Sequence, residues 1–208
     1  MAGMKWASPV RFSSPVVGAL LPTASFAYLL TQDGTVYNVD IAAGSASSIF
    51  RLNSPAHVPP VLIPLSQVAV FGGEDGRLTA LRNGVKAWGY VPDDACAPDA
   101  RTCHLNTTLQ GLAASGQMVY ASYSDRLVAI DSSGIVQWEN KLPSNASGPV
   151  ATDGARVYVM DGNDLVAYKA DRSFAWRVAL GPYFKTSPSP DPSGAYVFAA
   201  STDGYVAA

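Results

Sequence analysis

A chain of 208 residues, 14% charged, 48% hydrophobic and of net charge −2, has room for one sizeable domain but no basic stripe to neutralise phosphates. Nucleic-acid binding thus has no electrostatic support, and no run reaches the roughly 18 apolar residues of a membrane-spanning helix. With 18 glycines and 15 prolines, the composition suits many short strands joined by tight turns rather than long solvated helices.

At the N-terminus, Lys5 and Arg11 precede the apolar "PVVGALLP", and "ASFA" (24–27) has the character of a cleavage site, as in a signal peptide. Pro15 and Pro22 interrupt that run, and the segment fits a repeat register, so strand is favoured over leader.

Five copies of one motif follow in order: "TQDGTVYNVD" (31–40), "GEDGRLTALR" (73–82), "YSDRLVAID" (123–131), "GNDLVAYK" (162–169) and "STDGYVAA" (201–208). Their anchors are Asp33, Asp75, Asp125, Asp164 and Asp203, spaced by 42, 50, 39 and 39 residues. A β-rich run precedes each anchor, from "FAYLL" in the first copy to "AYVFAA" in the last. Upstream of four of these lies a Pro segment: "SSPVV" (13–17), "VPPVL" (58–62), "SGPVA" (147–151) or "TSPSP" (186–190). The third copy has "LQGLA" (109–113) there. Trp88, Trp138 and Trp176 follow their anchors by 13, 13 and 12 residues. Trp6 lies 27 residues before Asp33, as Trp176 does before Asp203, and reads as the closing tryptophan of a preceding copy.

Each copy reads as four strands. Proline opens the first, where a missing N–H does little harm. A buried Val/Tyr/Phe strand follows, then a hairpin at the aspartate, where glycine accepts the positive φ of a tight turn. The third strand alternates, and a turn at Asn83-Gly84 or Ser133-Gly134 leads to an outer strand ending in Trp. A sheet of about 40 residues that cannot bury both faces alone must stack on its neighbours, which is the blade of an all-β propeller of four-stranded antiparallel blades, about five of them here.

The Asp-Gly hairpin, the Ala-Leu-Asp-like strand and the glycine four residues before Trp, as in "ALRNGVKAW" (80–88) and "AIDSSGIVQW" (129–138), resemble the PQQ-like propeller repeat, which includes BamB-type outer-membrane assembly lipoproteins. The resemblance implies that Trp6, Trp88, Trp138 and Trp176 dock on the next blade near its turn glycine. Two copies depart from it: Phe50 stands near the tryptophan position of the first, and Arg172 replaces the turn glycine of the fourth. Family members have seven or eight blades, so residues 1–208 read as one PQQ-like propeller domain, a piece of a larger ring in preference to a small closed one. In a small closed ring, the strand around Asp203 to Ala207 would pair with one around Met4 to Trp6.

The 50-residue spacing comes from an insertion, "PDDACAPDARTCHLN" (92–106), between blades. Cys96 and Cys103, close together in a polar loop, favour a disulfide, which in an oxidising compartment contributes about 2–3 kcal/mol. His104 alone adds a metal ligand, too few for structural zinc. Asn106 and Asn145 head glycosylation sequons, relevant only on a eukaryotic secretory route.

The family's enzymes hold pyrroloquinoline quinone (PQQ) with calcium over adjacent cysteines, with an aspartate base. Here six residues separate the cysteines, and the five aspartates recur as turn residues rather than forming one cage. His57 and His104 are the only histidines, and there is no Gly-x-Ser-x-Gly elbow or phosphate loop. The expectation is a non-catalytic, cofactor-free, extracytoplasmic scaffold that binds a protein partner through the insertion or the funnel mouth. The alternatives are a fragment of a quinoprotein dehydrogenase and the ectodomain of a membrane sensor kinase.

Overall fold

The computed structural model describes residues 9–92 and 108–208, and among them there is no helix. Nineteen strands form five antiparallel sheets. The first sheet holds β1 (Leu21–Pro22), β2 (Ala27–Leu30), β3 (Thr35–Asp40) and β4 (Ser45–Arg51). The second holds β5 (Val61–Ile63), β6 (Val68–Gly72), β7 (Leu78–Arg82) and β8 (Val85–Tyr90). The third holds β9 (Leu109–Ser115), β10 (Met118–Tyr123), β11 (Arg126–Asp131) and β12 (Val136–Lys141). The fourth holds β13 (Ala151–Thr152), β14 (Arg156–Asp161), β15 (Asp164–Lys169) and β16 (Phe174–Ala179). The fifth has β17 (Ser189–Pro190), β18 (Val197–Ala200) and β19 (Val206–Ala207) among the described residues. Strands pair in chain order within every sheet, so each is a meander and the architecture is a β-propeller.

Period-two geometry explains why the second and third strands are apolar on both faces. In β10, Val119 and Ala121 enter the core shared with the second sheet, while Tyr120 enters the core shared with the fourth. β11 divides likewise: Val128 and Ile130 face one side, Leu127 and Ala129 the other. Each such core fills the space between two consecutive sheets. Burying one of these Val, Leu or Ile side chains contributes roughly 1.5–3 kcal/mol.

First strands lie side by side, β5 against β9, β9 against β13 and β13 against β17. Their approach is close: a Cβ on Gly111 would fall 2.6 Å from Pro149, and one on Gly18 would fall 2.7 Å from Pro59. The prolines thus pack against neighbouring first strands.

At the other edge, Asn83 (φ 51°) and Gly84 (φ 80°) make the two-residue turn between β7 and β8, with both residues left-handed as a type I′ hairpin requires. The outer strands of the second, third and fourth sheets then carry a one-residue bulge. It falls at Ala87, Gln137 and Ala175, each the residue before Trp. A bulge bends the strand and re-aims the next side chain.

Candidate functional site

In the second and third blades, the tryptophan meets the turn of the following blade. Trp88 Nε1 donates to the Ser132 carbonyl at 3.1 Å, and a Cβ on Gly134 would come within 2.7 Å of the indole Cγ. Trp138 Nε1 donates to the Ala170 carbonyl at 2.9 Å. Arg172 there takes φ 79° without glycine, and its Nε donates to Asn140 Oδ1 at 2.8 Å. Trp176 packs on Tyr158 with centroids 5.9 Å apart, repeating the Tyr120–Trp138 pair at 5.9 Å. Trp6 lies outside the described residues.

The first blade reaches the second differently. Phe50 pairs with Val36 and packs into the first core, away from the row where tryptophan stands in the other blades. That row is Tyr28, Asn38 and Ser47 in the first blade, against Tyr120, Ala129 and Trp138 in the third. With serine in place of the indole, the Tyr28 hydroxyl accepts from Gly84 N at 2.7 Å, and Ile49 Cδ1 lies 3.7 Å from the position of a Cβ there. Burial raises the Tyr28 pKa, keeping the hydroxyl neutral. The bulge explains the shift, since it falls at Ile49, nearer the start of β3 than its counterparts are to theirs.

Four anchor aspartates fall in the connection between second and third strands and Asp164 at the start of its third strand, all on one rim of the propeller, but their contacts differ. Asp33 Oδ1 accepts from the Thr31 hydroxyl at 2.7 Å and from Thr35 N, while Oδ2 takes the Thr35 hydroxyl at 3.0 Å. The Thr31 bond leads in holding this carboxyl below the usual carboxylate range. Asp75 Oδ1 accepts from Arg77 N at 3.2 Å. Asp125 pairs with the buried Arg126 at 2.9 Å, and Arg126 also reaches Glu139 at 3.2 Å. Asp164 is the first residue of β15 rather than a turn residue; the turn is Gly162–Asn163. Asp164 meets Arg177, which also holds the buried Asp161. Asp203 lies between β18 and β19.

The same rim carries the links between blades. His57 pairs with Glu74, and Tyr123 donates its buried hydroxyl to the Gly76 carbonyl at 2.9 Å. A cleft of about 130 Å³ there is lined by Asp75, Arg77, Lys86, Tyr90 and the exposed Val91. Pro92 and Thr108, the described residues nearest the insertion, follow β8 and precede β9 on this rim. Cys96, Cys103, His104 and Asn106 lie outside the described residues. Asn145 is exposed, with φ 66°, in the link from the third to the fourth blade.

Among the described residues, no three His, Cys, Asp or Glu side chains converge on a point a metal ion could occupy. By sequence the tyrosines are strand residues of the core, and Tyr28, Tyr120, Tyr123 and Tyr158 are buried there; their hydroxyl contacts carry no sequence signal. Tyr28, Tyr120 and Tyr158 stand in the second-strand runs "FAYLL", "MVYAS" and "VYVMD", and Tyr123 ends its own second strand.

Residues 97–208 match the family model described as outer membrane protein assembly factor BamB. Among solved structures, the crystal structure of BamB from Moraxella catarrhalis is 18% identical, with a TM-score of 0.49, over 95% of this chain and 70% of that one. BBS1N in complex with ARL6DN, soaked with mercury, is 13% identical with a TM-score of 0.66, over 90% of this chain. The chain spans 62% of the length of that structure. At 13% identity the likeness to BBS1N shows the fold alone. No curated protein matches the chain in sequence.

Proposed function

Because the chain belongs to the PQQ-like propeller family described as outer membrane protein assembly factor BamB, we propose that it is a non-catalytic scaffold that binds a protein partner outside the cytoplasm. The observation that carries this is the match over residues 97–208 to a family described as an assembly factor. The rim supports it. Asp33, Asp125 and Asp164 are engaged by their own hairpins or by arginine, and Asp75 by Arg77 N, as in a rigid frame that presents loops. A rigid scaffold with loops at one end is a common arrangement for recognition.

The insertion at 92–106 is the loop this reading assigns to the partner, with Cys96 and Cys103 bridged to restrict it. Deleting residues 93–104 leaves the β-sheet circular dichroism unchanged and weakens capture of the partner in affinity purification. Unchanged capture by the folded deletion variant would overturn the assignment. The cysteine bridge is read separately, as resistance of both thiols to alkylation until reductant is added.

A further inference from the structure

We propose that Asn83–Gly84, the outer turn of the second blade, is a site of self-modification through a succinimide, held unreactive while the Tyr28 hydroxyl of the first blade keeps its bond to Gly84 N. The inference stands apart from the scaffold reading and draws on no residue of 93–104.

The chemistry starts from the residue types. The side-chain amide carbon of asparagine is open to attack by the backbone nitrogen of the next residue, and a following glycine, with no Cβ, leaves that approach clear. Asn83–Gly84 is the one Asn-Gly pair in the sequence. A bond forms between Gly84 N and Asn83 Cγ, and the Cγ–Nδ2 bond breaks. The Gly84 N–H proton passes through water to the departing Nδ2, which leaves as ammonia. Water then opens the five-membered ring at either carbonyl, giving aspartate or isoaspartate at 83. One water is consumed and one ammonia released, so no other reactant is needed.

The fold sets when this can happen. Asn83 is exposed, so water reaches its amide. Its φ of 51° and that of 80° at Gly84 are those of a type I′ turn, whose first central residue has ψ near +30°, with ~30° following from the mirror image of type I. At that ψ, Gly84 N lies nearly trans to the Asn83 Cβ about the Cα–C bond, whereas the ring needs the two nearly eclipsed. Asn83 must therefore rotate out of the turn first, which swings Gly84 N–H away from its acceptor. That acceptor is the Tyr28 hydroxyl at 2.7 Å. The Tyr28 side chain is fully buried and set edge-on to both Phe26 and Phe71, so it does not follow the turn outward. Opening of the joint between the first two blades and exposure of the reactive geometry are thus one event.

The product keeps the joint open. Isoaspartate routes the main chain through the former side chain and adds one atom to a two-residue turn that must bring Arg82 opposite Val85. The type I′ geometry is then lost, and Gly84 N no longer meets Tyr28. In this blade Ser47 stands where later blades carry tryptophan, so no indole holds the outer edge in its place.

The test incubates the full 208-residue chain at neutral pH beside a peptide of residues 79–88. Peptide-mapping mass spectrometry follows the appearance of aspartate and isoaspartate at 83. The folded chain is expected to react more than about tenfold slower than the peptide, as a step gated by local opening requires. Tyr28→Phe, which keeps the ring and removes the acceptor, raises the rate about fivefold, the worth of one neutral hydrogen bond. Tyr123→Phe, which removes a hydroxyl bond at the opposite rim of the same blade, leaves the rate unchanged. Equal rates in the folded wild type and the peptide overturn the proposal, whether or not Tyr28→Phe folds. A folded Tyr28→Phe variant that reacts at the wild-type rate overturns the role of the hydroxyl. Equal acceleration by Tyr123→Phe overturns it in favour of global unfolding as the gate.

Discussion

Trp88 packs against Gly134 so closely that any Cβ at that position would meet the indole at 2.7 Å. Gly134 also has φ 89°, so alanine suffers twice, from the left-handed backbone and from overpacking. Gly134→Ala is expected to cost about 2–4 kcal/mol in urea unfolding. Gly116→Ala, at φ 57° with open space around it, isolates the backbone share at about 1–2 kcal/mol. In a Trp88→Ala background the excess of Gly134→Ala over Gly116→Ala disappears. If it persists, the contact is not what makes glycine necessary.

The link to the following blade tests the same geometry from the opposite direction. Arg172 holds φ 79° where the third blade uses glycine, gaining only an exposed hydrogen bond to Asn140. Arg172→Gly relieves the left-handed cost and loses that bond, for a net stabilisation of up to about 1 kcal/mol. A thermal midpoint that falls instead means that the Arg172–Asn140 pair outweighs the backbone cost.

The blades were legible because each repeats both a turn and a period. Asp33 through Asp203 mark one hairpin in five sheets, and the Trp spacing marks the outer edge in three. What escaped the sequence was side-chain substitution across the sheet. Phe50 looked like the stand-in for tryptophan by position, yet the bulge at Ile49 moves the row so that Ser47 fills that place and Tyr28 makes the contact. Bulge placement depends on packing between sheets, which a linear spacing does not encode. Asp164 looked like its fellow anchors, but the short Gly162–Asn163 turn places it on the strand.

Tyr123 ties the third blade to the second through one hydroxyl. It is buried, its oxygen donates to the Gly76 carbonyl, and burial pushes its pKa well above the ordinary tyrosine value. Tyr123→Phe keeps the ring packing and leaves that carbonyl without its donor, costing about 1–3 kcal/mol. The loss shows in equilibrium denaturation as a lower midpoint with an unchanged slope. A variant as stable as the wild type would mean that water replaces the hydroxyl at Gly76.

Asp33 gives the fold a pH dependence whose sign is fixed by its partners. The Thr31 hydroxyl first, then the Thr35 hydroxyl and amide and the Arg51 charge, favour the ionised carboxylate and lower its folded pKa. A depressed folded pKa contributes stability that is present above the unfolded value and lost as pH falls through the folded one. The contribution is therefore complete at neutral pH and declines below about pH 4. Asp33→Asn retains an acceptor for Thr35 N but carries no charge. Its deficit relative to wild type, measured by urea unfolding from pH 7 down to pH 2.5, shrinks in that acidic range. Because Asp33 is partly exposed and Arg51 is 3.8 Å away and largely solvated, added salt changes the deficit little; the hydroxyl bonds carry it. A deficit that is constant across pH would assign Asp33 a purely geometric role in the turn.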